Sequence, residues 1–192
     1  HTPCDNLAAK FLKDLIENHY GQSSYGLVIE TDKKERIGGF KTMAKGVEVR
    51  AGMGKNWRGG DSRTYEVFKH YLDCSHKVMM VSSDTPMIDA KLVVSAFRLL
   101  DSMEVVLGPD GGGGYYLIGM AKPYDLFTPL LGERGPYFEW TLKLAGEMGL
   151  KCGFTETLAD IDYVDDINRL DLDKLEAGWS RTAKILKEIK KA

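Results

Sequence analysis

The sequence has no apolar run long enough to cross a bilayer. Near its start there is no short apolar stretch of the kind that marks a secretory signal. Charge of neither sign prevails. The 26 Lys and Arg against 28 Asp and Glu leave a formal net charge of −2, which supplies no basic face for non-specific grip on nucleic acid and no hint of attraction to an anionic membrane. Cysteine is scarce: Cys4, Cys74 and Cys152 are far apart, form no CxxC pair and are odd in number. That pattern suits reduced thiols in a cytoplasmic protein rather than a disulfide framework. The four histidines, His1, His19, His70 and His76, show no metal-ligand spacing and read as surface or helix-end residues. Internal repeats, low-complexity tracts and linkers are also lacking. What remains is ordinary globular material: 192 residues with 43% hydrophobic content, enough for one domain with a real core. The first residue is His rather than Met, so the chain is expected to be processed or to begin inside a longer reading frame.

Hydrophobic periodicity lays out alternating elements. Leu7, Phe11, Leu12, Leu15 and Ile16 repeat at helical spacing, with Asp5 as a candidate cap and Gly21 as the stop. Residues 25–31 read as a strand, 40–45 as a short helix and 47–50 as an edge strand, followed by a glycine-rich loop over 51–61. A helix capped by Asp61 or Ser62 carries Tyr65, Val67, Phe68 and Tyr71. Residues 77–83 form a continuous apolar run that ends abruptly, the pattern of a strand covered on both faces as in parallel sheets. A helix over 88–100, strands over 103–107 and 115–120, a helix over 137–148, a weak strand over 152–155 and an amphipathic helical tail over 170–191 complete the chain. Strands alternating with helices predict an α/β sandwich with a mainly parallel sheet. In such sheets ligands sit beyond the carboxyl ends of the strands, so the residues just after each strand are where function is sought.

Three such segments stand out: Ser82-Ser83-Asp84-Thr85-Pro86, the stretch from Gly108 to Tyr116, and the acidic loop from Asp160 to Asp166. Asp84 is either a helix N-cap or a functional carboxylate at the ligand edge, and Thr85 could take the capping role instead. A magnesium ion needs only one or two carboxylates beside substrate phosphates, so one placed Asp and one distant partner suffice. Gly111 to Gly114 are either a flexible hairpin tip or a backbone that must approach a ligand closely. The stretch is neither a GxGxxG nor a Walker loop. In the acidic loop, Asp165 or Asp166 could cap a helix, while Asp162 lies between a strand end and that cap and is the better ligand candidate.

Taken together, the three segments resemble the glycosyltransferase-A-like family of radical-SAM/selenodomain-associated transferases, within the nucleotide-diphospho-sugar transferase superfamily. Ser83-Asp84-Thr85-Pro86 matches the family's Ser-Asp-x-Pro after a strand. Gly108-Pro109 with Gly113-Gly114-Tyr115-Tyr116-Leu117-Ile118-Gly119 matches its strand-loop-strand, and Asp160 to Ile167 matches its Asp-Val-Asp-Thr-Pro-Glu-Asp-Leu. The spacing fits from about Leu27 to Leu170. The resemblance implies a single α/β domain, a three-layer α/β/α sandwich with a mainly parallel mixed sheet. It implies that Asp84 binds Mg²⁺ or Mn²⁺ bridging the phosphates of a nucleotide or nucleotide-sugar, with Asp162 and less directly Asp160 as further carboxylates. Asp84 and Asp162 are thereby the catalytic candidates. Ser83, Arg63, Gly113, Gly114 and Tyr115 are the implied nucleotide and substrate contacts, Arg63 through the likeness of Gly59-Gly60-Asp61 and Arg63 to the family's Gly-Asp-Leu-Gly-Glu-Arg.

Three departures accompany the match. The family's acidic residue before Gly-Gly-Tyr-Tyr is Gly112 here, with Asp110 two positions earlier; its Thr-Pro is Tyr163-Val164; and its first strand with a basic Gly loop is expected to be missing ahead of the first helix. Two functional readings follow: a metal-dependent transferase moving a nucleotidyl or glycosyl group to a small acceptor, or a nucleotide-binding module of the same fold without turnover. A dehydrogenase or flavodoxin-like protein is disfavoured, because no glycine-rich turn follows an early strand.

Overall fold

The computed structural model describes residues 3–31, 34–51, 62–130, 135–161, 166–167, 170–176 and 179–190. Seven α-helices and six strands are described. They run α1 (Pro3–His19), β1 (Val28–Thr31), α2 (Ile37–Met43), β2 (Glu48–Ala51), α3 (Ser62–Leu72), β3 (Val78–Val81) and α4 (Ala90–Leu99). Then come β4 (Val105–Pro109), β5 (Tyr115–Met120), α5 (Tyr137–Glu147), β6 (Cys152–Phe154), α6 (Leu172–Glu176) and α7 (Ser180–Ile189). None of the described helices is long and apolar enough to cross a membrane.

The strands form two sheets. β1 and β2 pair in parallel, and β3-β5-β4-β6 form a four-stranded mixed sheet in that order. β5 runs antiparallel to both β3 and β4, while β4 and β6 are parallel. β4 and β5 are interior strands, and Val105, Val106, Leu107 and Met120 are fully buried.

Alternation along the strands sends neighbouring side chains to opposite faces. Val106 and Leu117 join one core cluster with Phe11 and Leu15 of α1, Leu92, Val93 and Ala96 of α4, and Ala183 and Leu186 of α7. Val105, Leu107, Ile118 and Met120 face the other way, against Phe68 of α3 and Ala145 of α5. Helices on both faces of a mixed sheet make the three-layer α/β/α sandwich that the sequence predicts. A third cluster, Ile16, Ile29, Ala44, Val47 and Val49, ties α1 and α2 to one face of β1 and β2.

Several expectations are corrected. The apolar run at β3 is not a strand between parallel neighbours. Among the described residues its partner is antiparallel β5, and all four of its residues are half-buried. Both of its faces are covered, Met79 and Val81 by one cluster and Val78 and Met80 by the other. Hydrophobicity reported the covered faces and could not report the strand direction. Asp5 lies within α1, which begins at Pro3, and is not its cap. The amphipathic tail is two helices, α6 and α7, not one. Of the two readings for His19, helix end holds and surface does not: it is the last residue of α1 and is 3% exposed.

Candidate active site at the carboxyl ends of the strands

The segment after β3 is held by its own short side chains. The Ser82 hydroxyl donates to Asp84 Oδ1, and the Thr85 hydroxyl approaches the same oxygen at 3.5 Å. Asp84 caps no helix. The cap of α4 is Asp89, whose Oδ1 accepts from the Leu92 amide at 2.7 Å, and neither Asp84 nor Thr85 takes that place. Asp84 Oδ2 therefore has no partner among the described residues. Ser83 beside it is exposed. Between Asp84 and the cap, Met87 adopts φ of 86°, a left-handed conformation that an L side chain takes only when its surroundings impose it.

The residue after Met87 is tied to α1. His19 Nε2–H donates to the Ile88 carbonyl at 2.9 Å, which leaves Nδ1 to accept from the Tyr25 hydroxyl at 2.6 Å. Burial lowers the His19 pKa below its ordinary 6.5, outweighing the opposing pull of the Ile88 carbonyl and of Asp89. The folded state thus binds this proton less readily than the unfolded chain. Stability is fully present above pH 6.5 and is lost as pH falls through the depressed folded value. Urea midpoints measured from pH 8 down to about pH 5 are expected to show this loss, and His19→Gln is expected to flatten it. An unchanged slope in the variant would remove His19 as its source.

The β4–β5 connection is built around Asp110. Its Oδ1 accepts from the Gly112 amide at 2.7 Å and the Gly114 amide at 2.9 Å, and its own amide donates to the Gly114 carbonyl at 3.2 Å. Gly111 at φ 80° and Gly113 at φ 103° supply the left-handed turns this requires. A Cβ at Gly114 would overlap Asp110 Oδ2. The glycine run is therefore an ordered turn that Asp110 closes through Oδ1. The Gly113 carbonyl accepts from the Phe138 amide at 2.9 Å, which fixes the turn to the start of α5. Tyr115 packs in the cluster shared with α3 and α5, and burial raises its hydroxyl pKa.

Three segments distant in sequence converge here. The Ile161 amide donates to the Asp84 carbonyl at 3.1 Å and the Leu158 amide to the Pro109 carbonyl at 3.2 Å. The Tyr116 hydroxyl bonds Thr155 Oγ1 at 2.7 Å and donates to the Glu156 carbonyl at 2.9 Å. The Ser82 amide donates to the Tyr116 carbonyl at 2.8 Å. The structure thus brings Asp84, the glycine turn and the chain leading to Asp160 to one end of the sheet. Asp162 lies outside the described residues, as do Gly59, Gly60 and Asp61. Arg63 falls in the first turn of α3, and its side chain is outside the described part. Reading the sequence missed Ser82, which orients Asp84, and His19, which braces the turn after it. Ser82 was legible as a hydroxyl two residues before the carboxylate, whereas His19 becomes a neighbour only through folding.

Among the described residues no group of three His, Cys, Asp or Glu could by itself hold a metal ion. The donor set here includes Asp84 Oδ2, which has no partner among the described residues. That fits Mg²⁺ or Mn²⁺, which take most of their ligands from phosphate and water, and not a cage made by protein alone.

Comparison with known proteins bears on the family and the fold. Residues 29–130 match the model of a family described as an uncharacterized protein conserved in bacteria (DUF2064). A solved structure from Desulfovibrio desulfuricans G20, assigned as a nucleotide-diphospho-sugar transferase, superposes with a TM-score of 0.83 at 23% identity, covering 96% of this chain and 84% of that one. The bifunctional IspDF of Campylobacter jejuni matches with a TM-score of 0.50 at 18% identity over 86% of this chain and 46% of its own. Rv0371c of Mycobacterium tuberculosis H37Rv matches with a TM-score of 0.50 at 13% identity over 85% of this chain and 81% of its own. No curated protein matches the sequence. The fold is that of the nucleotide-diphospho-sugar transferases.

Proposed function

The chain belongs to the DUF2064 family, and on that premise we propose that it is a divalent-metal-dependent transferase that takes a nucleotidyl or glycosyl group from a nucleotide donor to a small acceptor. The observation that carries this reading is the hydrogen bond from Ile161 to Asp84. It ties Ile161, next to Asp160, to the main chain of Asp84 after β3, at the strand ends where α/β folds bind ligands.

In this reading Asp84, through its free Oδ2, holds Mg²⁺ or Mn²⁺ with Asp162, and Asp160 stands as a third candidate. The ion supplies neutralisation of charge on the leaving phosphate. Ser82 keeps the Asp84 carboxylate oriented by occupying Oδ1. The glycine turn, rigid around Asp110, offers side-chain-free backbone at Gly113 and Gly114 for the acceptor side. Ser83, Arg63 and Tyr115 complete the donor contacts by resemblance to the radical-SAM/selenodomain-associated transferases.

A second reading, a nucleotide-binding module without turnover, is favoured by one specific observation. Gly112 stands where the resemblance places an acid, and the nearby Asp110 is tied through Oδ1 to the Gly112 and Gly114 amides.

Titration with a panel of nucleoside triphosphates and sugar nucleotides, with and without divalent cation, tests both. The transferase reading expects binding to weaken by about tenfold or more when EDTA removes the metal, together with product formation from at least one donor and acceptor pair. Metal-dependent binding with no product from the panel supports the module. Binding that ignores EDTA rejects the metal role in both.

A further inference from the structure

The segment that carries Asp84 is anchored at both ends and strained between them. At one end the Asp84 carbonyl accepts from the Ile161 amide at 3.1 Å, and the Ser82 amide before it donates to the Tyr116 carbonyl of β5 at 2.8 Å. At the other end Ile88 is fully buried in the core shared by α1, α4 and α7, and Asp89 enters α4 as its cap. Three residues span the interval. Thr85 precedes a proline, which confines it to extended backbone. The ring of Pro86 fixes its own φ at about −65°. Both are buried. The freedom left in the span lies at Met87, and Met87 stands at φ 86°. A positive φ directly after a turn proline favours glycine. A methionine in that place is held against its own preference by whatever fixes the two ends.

At the Ile88 end one tie comes from a side chain distant in sequence. His19 Nε2–H reaches the Ile88 carbonyl at 2.9 Å across a separation of 69 residues. The Tyr25 hydroxyl, at 2.6 Å, occupies Nδ1 and so keeps the proton on the nitrogen that faces Ile88. The His19 and Tyr25 rings lie 6.0 Å apart, and Tyr25 lies 5.8 Å from Phe97 of α4. Tautomer and ring orientation are thus both set by what surrounds the imidazole. A buried donor fixed in this way is suited to holding a backbone carbonyl against strain in the neighbouring residue.

We propose that His19 is a positioning residue for Asp84: through the Ile88 carbonyl it holds Met87 in its left-handed conformation, and that conformation sets where Asp84 stands. Without the bond the Ile88 peptide turns, Met87 relaxes and the span carries Asp84 with it. What Asp84 holds rests on the transferase reading; how it is held does not. Amide hydrogen exchange of the full chain, followed by NMR, needs no ligand. The Ile161 amide reports on Asp84, whose carbonyl it meets, and the slowest amides of β4 and β5 report global opening. His19→Leu is expected to speed exchange at Ile161 by about tenfold or more relative to those amides, and His19→Gln, whose amide can return an N–H to Ile88, by less than about threefold. If His19→Leu fails to fold, His19→Asn takes its place, since its shorter amide meets Tyr25 and not Ile88. Glycine takes a positive φ freely, so in a Met87→Gly background the same loss at His19 is expected to change Ile161 exchange by less than about threefold. A histidine with only a packing role would cost the same in both backgrounds. Mn²⁺ titration followed by electron paramagnetic resonance is the second readout: loss of the bond is expected to weaken Mn²⁺ binding about tenfold, with recovery in the Met87→Gly background. A wild type that takes up no Mn²⁺ would overturn the metal role of Asp84, while hydrogen exchange would still decide the role of His19. Unchanged Ile161 exchange on loss of the bond, an equal change in both backgrounds, or undiminished Mn²⁺ binding beside fast Ile161 exchange would each overturn the proposal.

Discussion

Asp84→Ala is expected to weaken Mg²⁺-dependent nucleotide binding by about 100-fold, or about 2.7 kcal/mol, and to bring any turnover to background. The size follows from the donor set. In the transferase reading few carboxylates hold the ion, so removal of Asp84 leaves it to those of the 160–162 stretch. The fold is expected to survive. Asp84 caps no helix, its Oδ1 receives only the neighbouring Ser82 and Thr85 hydroxyls, and both can turn to water. Asp84→Asn keeps an acceptor for Ser82 without the charge, and is expected to match the wild type in melting temperature and the Ala variant in binding. A variant that binds nucleotide and metal as the wild type does would show that the carboxylate serves the turn and not the ion.

Asp14→Ala is expected to lower stability by about 2–3 kcal/mol, a fall in Tm of roughly 6–10 °C for a chain of this size. Asp14 is 2% exposed in the middle of α1. Its Oδ2 accepts from the Thr182 amide at 2.8 Å and its Oδ1 from Arg181 Nη1 at 3.0 Å. α7 has no side-chain cap of its own: Trp179 at its N-cap makes no such bond. Asp14 therefore caps α7 from 168 residues away, where a carboxylate also meets the positive end of the helix dipole. Alanine would leave the Thr182 amide unsatisfied in a buried place. Arg181 would fall back on Glu17, which it contacts at 2.5 and 2.7 Å near the surface, where a pair contributes little. Asp14→Asn, with its acceptor retained, is expected to recover roughly half the loss. Thermal unfolding of the two variants measures this, and a change under about 0.5 kcal/mol for alanine would mean that α7 does not depend on the cap.

Most elements were legible because their signals are local. Glycine and apolar periodicity set β5 at residues 115–120, the span that the sequence predicts. Three strand-end motifs in order pointed to one site because chain order and the carboxyl-end rule suffice to bring them together. Polar contacts across large sequence separations were not legible. Asp14 reads as one more charged residue on a helix, and His19 as a helix-end histidine, until α7 and the turn at Ile88 arrive beside them. The same limit applied to Asp84, where capping and ligation are equally good local readings. Asp89 at the cap of α4 removed the first of them.

The sequence by itself determined the α/β class, the alternation that buries both faces of the central strands, and the three segments that meet at their ends. Those depend on side-chain type and spacing alone. Only the tertiary structure decided that β3 pairs antiparallel with β5, that Asp110 closes the glycine turn through Oδ1, and that Asp89 rather than Asp84 caps α4. Pairing and hydrogen-bond satisfaction depend on which groups come within about 3 Å of each other, and no one-dimensional pattern records that distance.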